Sequence, residues 1–254
     1  MISKSVGRGA ALAMVLSFGV LGAGLATAKP THAAGTSPAI ASALADKARP
    51  ETDTSRDTAR KPATLLAFAR VHPGEKVGEL LPGGGYFTRL LSKTVGDAGA
   101  VYSWIPDVAS PKSVANFKVV PDVNYTNVSL VRGAAFSAPE KLDLVWTSQN
   151  YHDLHHHGGN AEATNAAAFA ALKPGGYYFV TDHAGVKGTG DSQTDALHRI
   201  DPELVKSEVA KAGFKLVGES KALANAADDH TVSVFKIHDK TDQFVFLFQK
   251  PKGK

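Results

Sequence analysis

The stretch that most constrains the fold is residues 76–91, Lys-Val-Gly-Glu-Leu-Leu-Pro-Gly-Gly-Gly-Tyr-Phe-Thr-Arg-Leu-Leu. Its apolar beginning predicts a short buried strand, which Pro82 ends because proline has no N–H group for the strand ladder. Gly83, Gly84 and Gly85 then allow a sharp turn and a close approach of the backbone to another molecule. Apolar side chains at helical spacing predict a helix directly after the turn. A glycine turn at a helix N-terminus is where nucleotide-like ligands bind in doubly wound α/β folds.

Seven apolar stretches with strand character follow one another, and helical stretches separate most of them. The strands are predicted at residues 77–81, 100–105, 128–131, 142–147, 177–181, 214–217 and 244–248. This alternation predicts an α/β protein with a Rossmann-like doubly wound, mostly parallel seven-stranded sheet and helices on both faces. The last strand has no helix before it, so we expect an antiparallel C-terminal edge strand.

The first 28 residues have the three parts of a secretory signal peptide. Lys4 and Arg8 form the charged part, residues 10–25 form the apolar part, and residues 26–28, Ala-Thr-Ala, have the small-x-small pattern of a cleavage site. A transmembrane anchor is the weaker interpretation, because the apolar part contains several glycines and no stop-transfer charges follow it. We therefore expect cleavage near Ala28 and a periplasmic or secreted protein.

Residues 29–60 differ in composition from the rest of the chain. They are rich in small and polar residues, and from Pro50 to Arg60 there is almost no apolar side chain. This composition predicts a flexible N-terminal segment, with at most a short helix over residues 39–48. The globular domain is expected over residues 61–254, which is the size of one domain.

The composition also excludes several classes of function. The chain contains no cysteine, which excludes disulfides, thiol catalysis and thiolate metal sites. Removal of Lys4 and Arg8 with the signal peptide lowers the basic residues from 28 to 26, against 24 acidic residues, which leaves a net charge of about +2. Basic residues are scattered, which argues against nucleic acid as a partner. We expect a small-molecule substrate and no membrane contact after signal cleavage, and the oligomeric state stays open.

Residues 79–88, Glu-Leu-Leu-Pro-Gly-Gly-Gly-Tyr-Phe-Thr, resemble motif I of class I S-adenosylmethionine-dependent methyltransferases. In that family an acidic residue before a Gly-x-Gly turn contacts the methionine part of the cofactor, and the glycines line it. Glu79, Gly83 and Gly85 occupy the matching positions. Leu81 stands where the first glycine of the pattern usually lies. Without the resemblance, the same stretch is a plain strand-turn-helix corner.

Two further features extend the resemblance. The order of the predicted strands matches the family's seven-stranded sheet, and Lys-Pro-Gly-Gly at residues 173–176 resembles another of its landmarks. The resemblance covers roughly residues 61–250 and implies S-adenosylmethionine as the cofactor and methyl transfer as the reaction. It implies a cofactor site made of Glu79, Pro82, Gly83, Gly84, Gly85, Thr88, Ile105, Asp107 and Ser148.

The carboxylates of the chain depart from the family pattern. The family usually places an acidic residue at the end of the second strand to hold the ribose hydroxyls, and many members place another after the third strand. Here the second strand ends near Ile105, and the first carboxylate is Asp107, two residues further on. Residues 132–135 are Arg-Gly-Ala-Ala, without an acid. Glu79 also has an alternative role, as a structural carboxylate that accepts hydrogen bonds from nearby backbone N–H groups.

A histidine-rich loop follows the fourth predicted strand, with the sequence Ser-Gln-Asn-Tyr-His-Asp-Leu-His-His-His over residues 148–157. Folds of this kind place their chemistry at the carboxyl ends of parallel strands. The resemblance implies that this loop faces the transferred methyl group, with Asn150, Tyr151, His152 and Asp153 as the substrate-orienting or catalytic side chains. A histidine here can accept a proton from a substrate hydroxyl or amine as the methyl group moves.

The same loop leaves two other interpretations open. His152 and His156 are four residues apart and would share one face of a helix, and Asp153, Asp182 and His183 are candidates for further metal ligands. Imidazole and carboxylate groups suit zinc or similar ions. The other interpretation is a solvated polar loop whose histidines bond to backbone or water.

The sequence thus leaves three functions open. The first, which we favour, is an exported enzyme that transfers a methyl group from S-adenosylmethionine to an unknown acceptor without a metal. The second is a non-catalytic periplasmic binding module on a methyltransferase scaffold, which the missing acids favour. The third is a metal-dependent hydrolase that uses the histidine loop.

Overall fold

In a computed structural model, the described part of the chain comprises residues 1–2, 36–120, 122–156 and 158–253. By their contacts, Ala34–Lys254 form one compact unit and Met1–Ala33 form another, of which only the first two residues are described. The predicted signal peptide therefore lies outside the described residues, apart from Met1 and Ile2. Among the helices in the described ranges, none combines the length and apolar character that a membrane crossing requires.

Seven strands form one sheet in the part of the chain that the structure describes, as the sequence predicts. The order across the sheet is third, second, first, fourth, fifth, seventh and sixth. The first five strands pair in parallel, and the seventh is antiparallel to both of its neighbours. The strands are β1 Lys76–Leu80, β2 Ala100–Pro106, β3 Val128–Gly133, β4 Leu142–Ser148, β5 Leu172–His183, β6 Lys215–Ser220 and β7 Gln243–Gln249.

The last strand, β7, is antiparallel as predicted, and it lies one place in from the edge of the sheet. It pairs with β5 on one side and with β6 on the other, so that β6 is the edge strand. All residues of β7 except the last are buried, whereas β6 is largely exposed. The nearly continuous apolar sequence of β7 is typical of an inner strand, covered on both faces.

Helices connect most of the strands, and apolar side chains cover both faces of the sheet. Successive residues of β4 belong to different apolar clusters, Val145 to one and Trp146 to the other, which is the alternation expected of a strand with a core on each face. The helices in the described ranges are α1 Pro38–Leu44, α2 Glu51–Thr54, α3 Asp57–Arg60, α4 Pro62–Phe68, α5 Tyr86–Val95, α6 Pro111–Asn116, α7 Ala161–Ala171, α8 Thr194–Leu197 and α9 Pro202–Lys211, with 3-10 turns at His152–His155 and Val234–Lys236.

The described part of the N-terminal segment, residues 36–60, is folded, whereas the sequence predicts a flexible segment over residues 29–60. Helix α1 buries Ile40 in the core beside α5. Further along, Asp53 of α2 accepts a hydrogen bond from Arg89 Nη1 of α5 at 2.8 Å. The sequence pattern misses this segment because its short helices are held by polar partners far along the chain, which leave no apolar periodicity.

If the segment belongs to the folded core, Ile40→Ala lowers the free energy of unfolding by about 2–5 kcal/mol, since it removes a buried side chain and leaves a cavity. Chemical denaturation measures this change. The matched control is Ser42→Ala at an exposed position of the same helix, which should change the free energy by about 0.5 kcal/mol or less. Equal effects of the two substitutions would show that α1 contributes nothing to the core.

Candidate functional site

The turn between β1 and α5 begins at Leu81, which has a φ of +53°. This is the left-handed region that residues other than glycine rarely adopt. The Leu81 N–H donates to the carbonyl of Trp104 on β2 at 2.9 Å, and the Leu81 carbonyl accepts a hydrogen bond from Asn150 Nδ2 in the loop after β4. The two bonds hold a conformation that costs on the order of 1–3 kcal/mol. Leu81 thus has the backbone conformation that the first glycine of the motif would allow.

Two adjoining cavities lie at this end of the sheet. Their volumes are about 660 and 800 Å³, within the usual range of small-molecule sites. We call the smaller one, which includes Glu79 and His152 in its wall, the first cavity, and the larger one the second cavity. The residues that line both are Leu81, Pro82, Gly83, Asn150 and Asp153. The start of the glycine turn and the histidine loop therefore form the boundary between the cavities.

The three glycines of the turn have different surroundings. A Cβ atom added to Gly83 would meet no atom within 4 Å, and one added to Gly84 would meet only the Asn116 carbonyl oxygen at 4.0 Å. Both residues line the first cavity. A Cβ added to Gly85, whose φ is +86°, would lie 2.2 Å from Val119 Cγ2. Gly85 lines neither cavity and is required for packing, and its place in the cofactor site stays a prediction.

Glu79 lies in the wall of the first cavity and also joins three elements of the fold. Its Oε2 atom accepts hydrogen bonds from Thr88 Oγ1 of α5 at 2.5 Å and from Ser103 Oγ of β2 at 2.9 Å. Burial raises the pKa of Glu79 to about 7. Thr88 is fully buried and lines neither cavity. The prediction that Thr88 contacts a cofactor is therefore not supported, and Thr88 instead positions the Glu79 carboxylate.

The second cavity is mainly apolar and opens at the ends of β2 and β3. Its wall includes Trp104, Ile105 and Leu154, so the structure places the predicted residue Ile105 at a ligand-sized cavity. Asp107 does not line it. The Asp107 side chain is 58% exposed, and its carboxylate lies 3.7 Å from Arg132 Nε. The carboxylate of Asp107 thus faces an arginine at the surface, and its contact with ribose hydroxyls stays a prediction.

The first cavity is more polar, and the N-terminal segment supplies part of its wall. Asp53, Arg56 and Arg60 line it together with the predicted residue Ser148. The Arg60 guanidinium donates to the Gln149 side chain at 2.6 Å, and burial lowers the pKa of Arg60 to about 10. The sequence analysis misses these three residues because it treats their segment as a linker.

His152 is buried at the wall of the first cavity and is held by a carboxylate behind it. Its Nδ1 atom lies 3.0 Å from both carboxylate oxygens of Asp182, and its backbone N–H donates to Asp182 Oδ2 at 2.7 Å. Burial opposes protonation of the ring, but the charge of Asp182 outweighs it and raises the pKa of His152 above its ordinary value. The carboxylate thus fixes the orientation of the ring and favours its protonated form.

The other predicted catalytic residues have different places. Asn150 lines both cavities and, through its bond to Leu81, braces the turn. Tyr151 is fully buried and lines neither cavity. Its hydroxyl donates to Glu208 at 2.9 Å and accepts a hydrogen bond from Asn165 at 2.7 Å. In this structure Tyr151 therefore packs and braces the loop, and its catalytic role stays a prediction.

The structure brings part of the predicted metal-ligand set together. One ligand atom from each of His152, Asp153, His156 and His198 lies within 4.8 Å of the others. Asp182 is not part of this group, because it lies behind His152, and Nδ1 of His183 is 2.7 Å from Thr241 Oγ1. His198 lies 46 residues beyond His152, and the sequence gives no signal that would join them. His157 lies outside the described residues.

No protein-family model and no curated protein matches the sequence. Among solved structures, the chain is similar to a SAM dependent methyltransferase from Aquifex aeolicus, with a TM-score of 0.53 and 18% identity over 77% of this chain and 93% of that one. It is also similar to an S-adenosylmethionine dependent methyltransferase from Mesorhizobium loti, with a TM-score of 0.54 and 14% identity over 75% and 97% of the two chains.

A third similar structure is the [4+2]-cyclase SpnF, with a TM-score of 0.58 and 14% identity over 82% of this chain and 85% of that one. At such low identity, these comparisons establish the fold. The chain has the Rossmann-like fold of S-adenosylmethionine-dependent methyltransferases, as the resemblance of its motif implies. The name of the cyclase indicates that proteins of this fold are not confined to one reaction.

The contact between His152 and Asp182 predicts that the pKa of His152 changes when the Asp182 charge is removed. In metal-free protein, Asp182→Asn should lower the pKa of His152 towards or below its ordinary value, because burial is then opposed by the charge of Asp153 alone. A pH titration of the ring signals by NMR, assigned with His152→Gln, measures both values. Asp191→Asn, which lies beside His155, is the control and should leave the His152 pKa unchanged. An unchanged pKa in Asp182→Asn would contradict the assignment.

Proposed function

We propose that the chain binds S-adenosylmethionine across the two cavities and transfers its methyl group to a small-molecule acceptor in the first cavity. The observation that carries this proposal is the junction of an apolar and a polar cavity at the start of the glycine turn. A ligand with an apolar, aromatic end and a charged end matches this division. The fold and the motif at residues 79–88 support the same cofactor.

The second cavity has the chemistry for the adenine end of the cofactor. Trp104, Ile105 and Leu154 provide flat and aliphatic surfaces, which suit a planar base. No carboxylate from the end of β2 reaches this cavity, since Asp107 faces Arg132. Packing of the base is therefore expected to contribute more to affinity here than hydrogen bonds to the ribose.

The first cavity has the chemistry for the methionine end. Gly83 and Gly84 leave space above the turn, Arg60 can pair with a carboxylate, and Glu79 can pair with an ammonium group. A nearby positive charge favours ionisation of a buried carboxyl, which suits Glu79 with its raised pKa of about 7. Bound there, S-adenosylmethionine would supply an electrophilic methyl group on a positively charged sulfur.

His152 is the residue that we propose to accept the proton of the acceptor. Its ring lines the first cavity, and Asp182 holds Nδ1, so that the neutral form of His152 accepts the proton at Nε2, which lies 3.1 Å from His198 Nδ1. The raised pKa of His152 strengthens the ring as a base and makes the reaction faster at a pH above that pKa, where the ring is neutral. Tyr86, Phe87 and Trp146 line the same cavity and provide aromatic surfaces for a small acceptor. Asp182 acts through His152 and is therefore a positioning residue.

Calorimetric titration with S-adenosylmethionine and S-adenosylhomocysteine tests this proposal. We expect saturable binding of one molecule per chain, and Gly84→Ala should weaken it about tenfold or more, because the added methyl group enters the cavity while the backbone stays unstrained. No saturable binding of either compound at millimolar concentration would overturn the proposal and favour a non-catalytic binding module.

Two control variants separate binding from folding in this experiment. Asp107→Asn should leave the affinity unchanged, since its side chain lies at the surface beside Arg132. Gly85→Ala should lower the melting temperature, because its Cβ would overlap Val119 and its backbone has a positive φ. Loss of affinity in Asp107→Asn, or a fully stable Gly85→Ala, would show that the site is assigned to the wrong residues.

We also propose that the protein is exported and that its signal peptide is cleaved near Ala28. The proposal rests on the charged, apolar and small-residue parts of residues 1–28. Mass spectrometry of the protein isolated from its native host should find an N-terminus near Lys29. An intact Met1 would contradict export by this route.

A further inference from the structure

Four side chains converge at the boundary of the two cavities, and we name them the histidine–aspartate cluster: His152, Asp153, His156 and His198. His152 Nε2 lies 3.1 Å from His198 Nδ1 and 3.4 Å from Asp153 Oδ1. His156 Nε2 lies 3.2 Å from the same Asp153 oxygen. The cluster thus joins three residues of the loop after β4 to one residue from the segment after β5.

These distances match the edges of a metal coordination tetrahedron. When four ligand atoms each lie about 2.0–2.1 Å from a zinc ion in tetrahedral arrangement, neighbouring ligand atoms are roughly 3.3 Å apart. Three of the six separations, 3.1, 3.2 and 3.4 Å, are close to this value, and one ligand atom from each of the four residues lies within 4.8 Å of the others. Three imidazoles and one carboxylate are also ligands that zinc-like ions prefer, and the chain has no cysteine to compete for them.

The carboxylate behind His152 has the position of a group that supports a metal ligand. Metal-binding histidines usually donate their second ring N–H to a carboxylate, which fixes the tautomer and the ring orientation. Asp182 is fully buried, and its two oxygens lie 3.0 Å from His152 Nδ1. With the hydrogen on Nδ1, the lone pair of Nε2 faces the cluster.

The same tautomer favours a positive charge within the cluster. A neutral His152 presents a lone pair at Nε2, and Asp153 Oδ1 lies 3.4 Å from that nitrogen and 3.2 Å from His156 Nε2. The lone pairs of His152 and Asp153 repel at this distance, and a cation between them converts the repulsion into attraction. The cation is either a proton on one of the rings or a metal ion among all four ligands.

We propose that the histidine–aspartate cluster binds one divalent transition-metal ion of the zinc type. His152 is buried and the other three side chains are partly exposed, so an ion can enter from the cavities. Asp153 lines both cavities, whereas His198 lines the first and His156 the second. Metal binding at this cluster does not require an adenosyl compound.

One consequence does rest on the proposed function. An ion held by the four ligands would take an acceptor oxygen from the first cavity as a fifth ligand and lower its pKa, so that the ion takes over the activation of the acceptor. In that state His152 is a ligand, and its role as proton acceptor is confined to the metal-free protein. The expected acceptor class is then a hydroxyl compound.

Titration of the purified, tag-free chain with Zn²⁺ against a chromophoric chelator tests the site without any cofactor. We expect one ion per chain with a Kd below about 1 μM. His198→Ala should weaken binding about tenfold or more, and Asp182→Asn about 10- to 100-fold through loss of ligand orientation. The visible absorption of the Co²⁺ form should have the high intensity of four-coordinate cobalt.

His155→Ala is the matched control, because His155 lies in the same loop but contacts Glu208 at 3.1 Å outside the cluster. It should leave the Zn²⁺ affinity unchanged. Each of three results would overturn the proposal. The first is an equal loss of Zn²⁺ affinity in His155→Ala and His198→Ala. The others, both in the unmodified protein, are less than half a Zn²⁺ ion bound per chain and a weak Co²⁺ spectrum typical of six-coordinate cobalt. The Co²⁺ spectrum needs no variant, so the test remains decisive if a substitution unfolds the protein. If the chain binds Zn²⁺ but no adenosyl compound, the proposed function is refuted and the metal site is not.

Discussion

The left-handed backbone at Leu81 is the constraint on which the site depends. Its N–H bonds to Trp104 on β2 and its carbonyl accepts from Asn150 after β4, so a single residue ties three neighbouring strands together beyond the end of β1. The conformation costs free energy, and the two bonds offset that cost. Because Leu81, Pro82 and Gly83 line both cavities, this braced turn determines where the cavities meet.

The two sides of this turn have different chemistry because different parts of the chain close them. The ends of β2 and β3 contribute apolar side chains to the second cavity. The first cavity receives Arg56 and Arg60 from the N-terminal segment, and histidines from the loops after β4 and β5. The N-terminal segment is thus part of the site as well as part of the core. The fold is shared with the similar methyltransferase structures, and these side chains give the first cavity its polar character.

Local sequence was enough to predict the fold. The strand, glycine turn and helix of residues 76–91 follow from apolar spacing and from Pro82, and the structure confirms all three. The seven strands follow from the same kind of pattern. The position of the last strand within the sheet was harder to predict. Strand β7 takes an inner place because it pairs with both β5 and β6, and this pairing depends on contacts between residues distant in sequence.

The surroundings of individual side chains could not be predicted from the sequence, and the reason is the same in each case. Gly85 differs from Gly84 in its positive φ and in its close contact with Val119, far along the chain. Asp107 directly follows a strand end, but its carboxylate faces Arg132. Tyr151 is next to His152 in the sequence, but its hydroxyl donates a hydrogen bond to Glu208. His198 enters the cluster from a separate loop. Side-chain direction and long-range partners decide these roles, and sequence spacing contains neither.

The central claim is that one ligand occupies both cavities and crosses the turn at Leu81. A crystal structure of the chain with S-adenosylhomocysteine tests it most directly. The account predicts the adenine beside Trp104 and Ile105 in the second cavity and the amino-acid carboxylate beside Arg60 in the first. An adenine in the first cavity, or both cavities empty at a saturating concentration of the ligand, would contradict it.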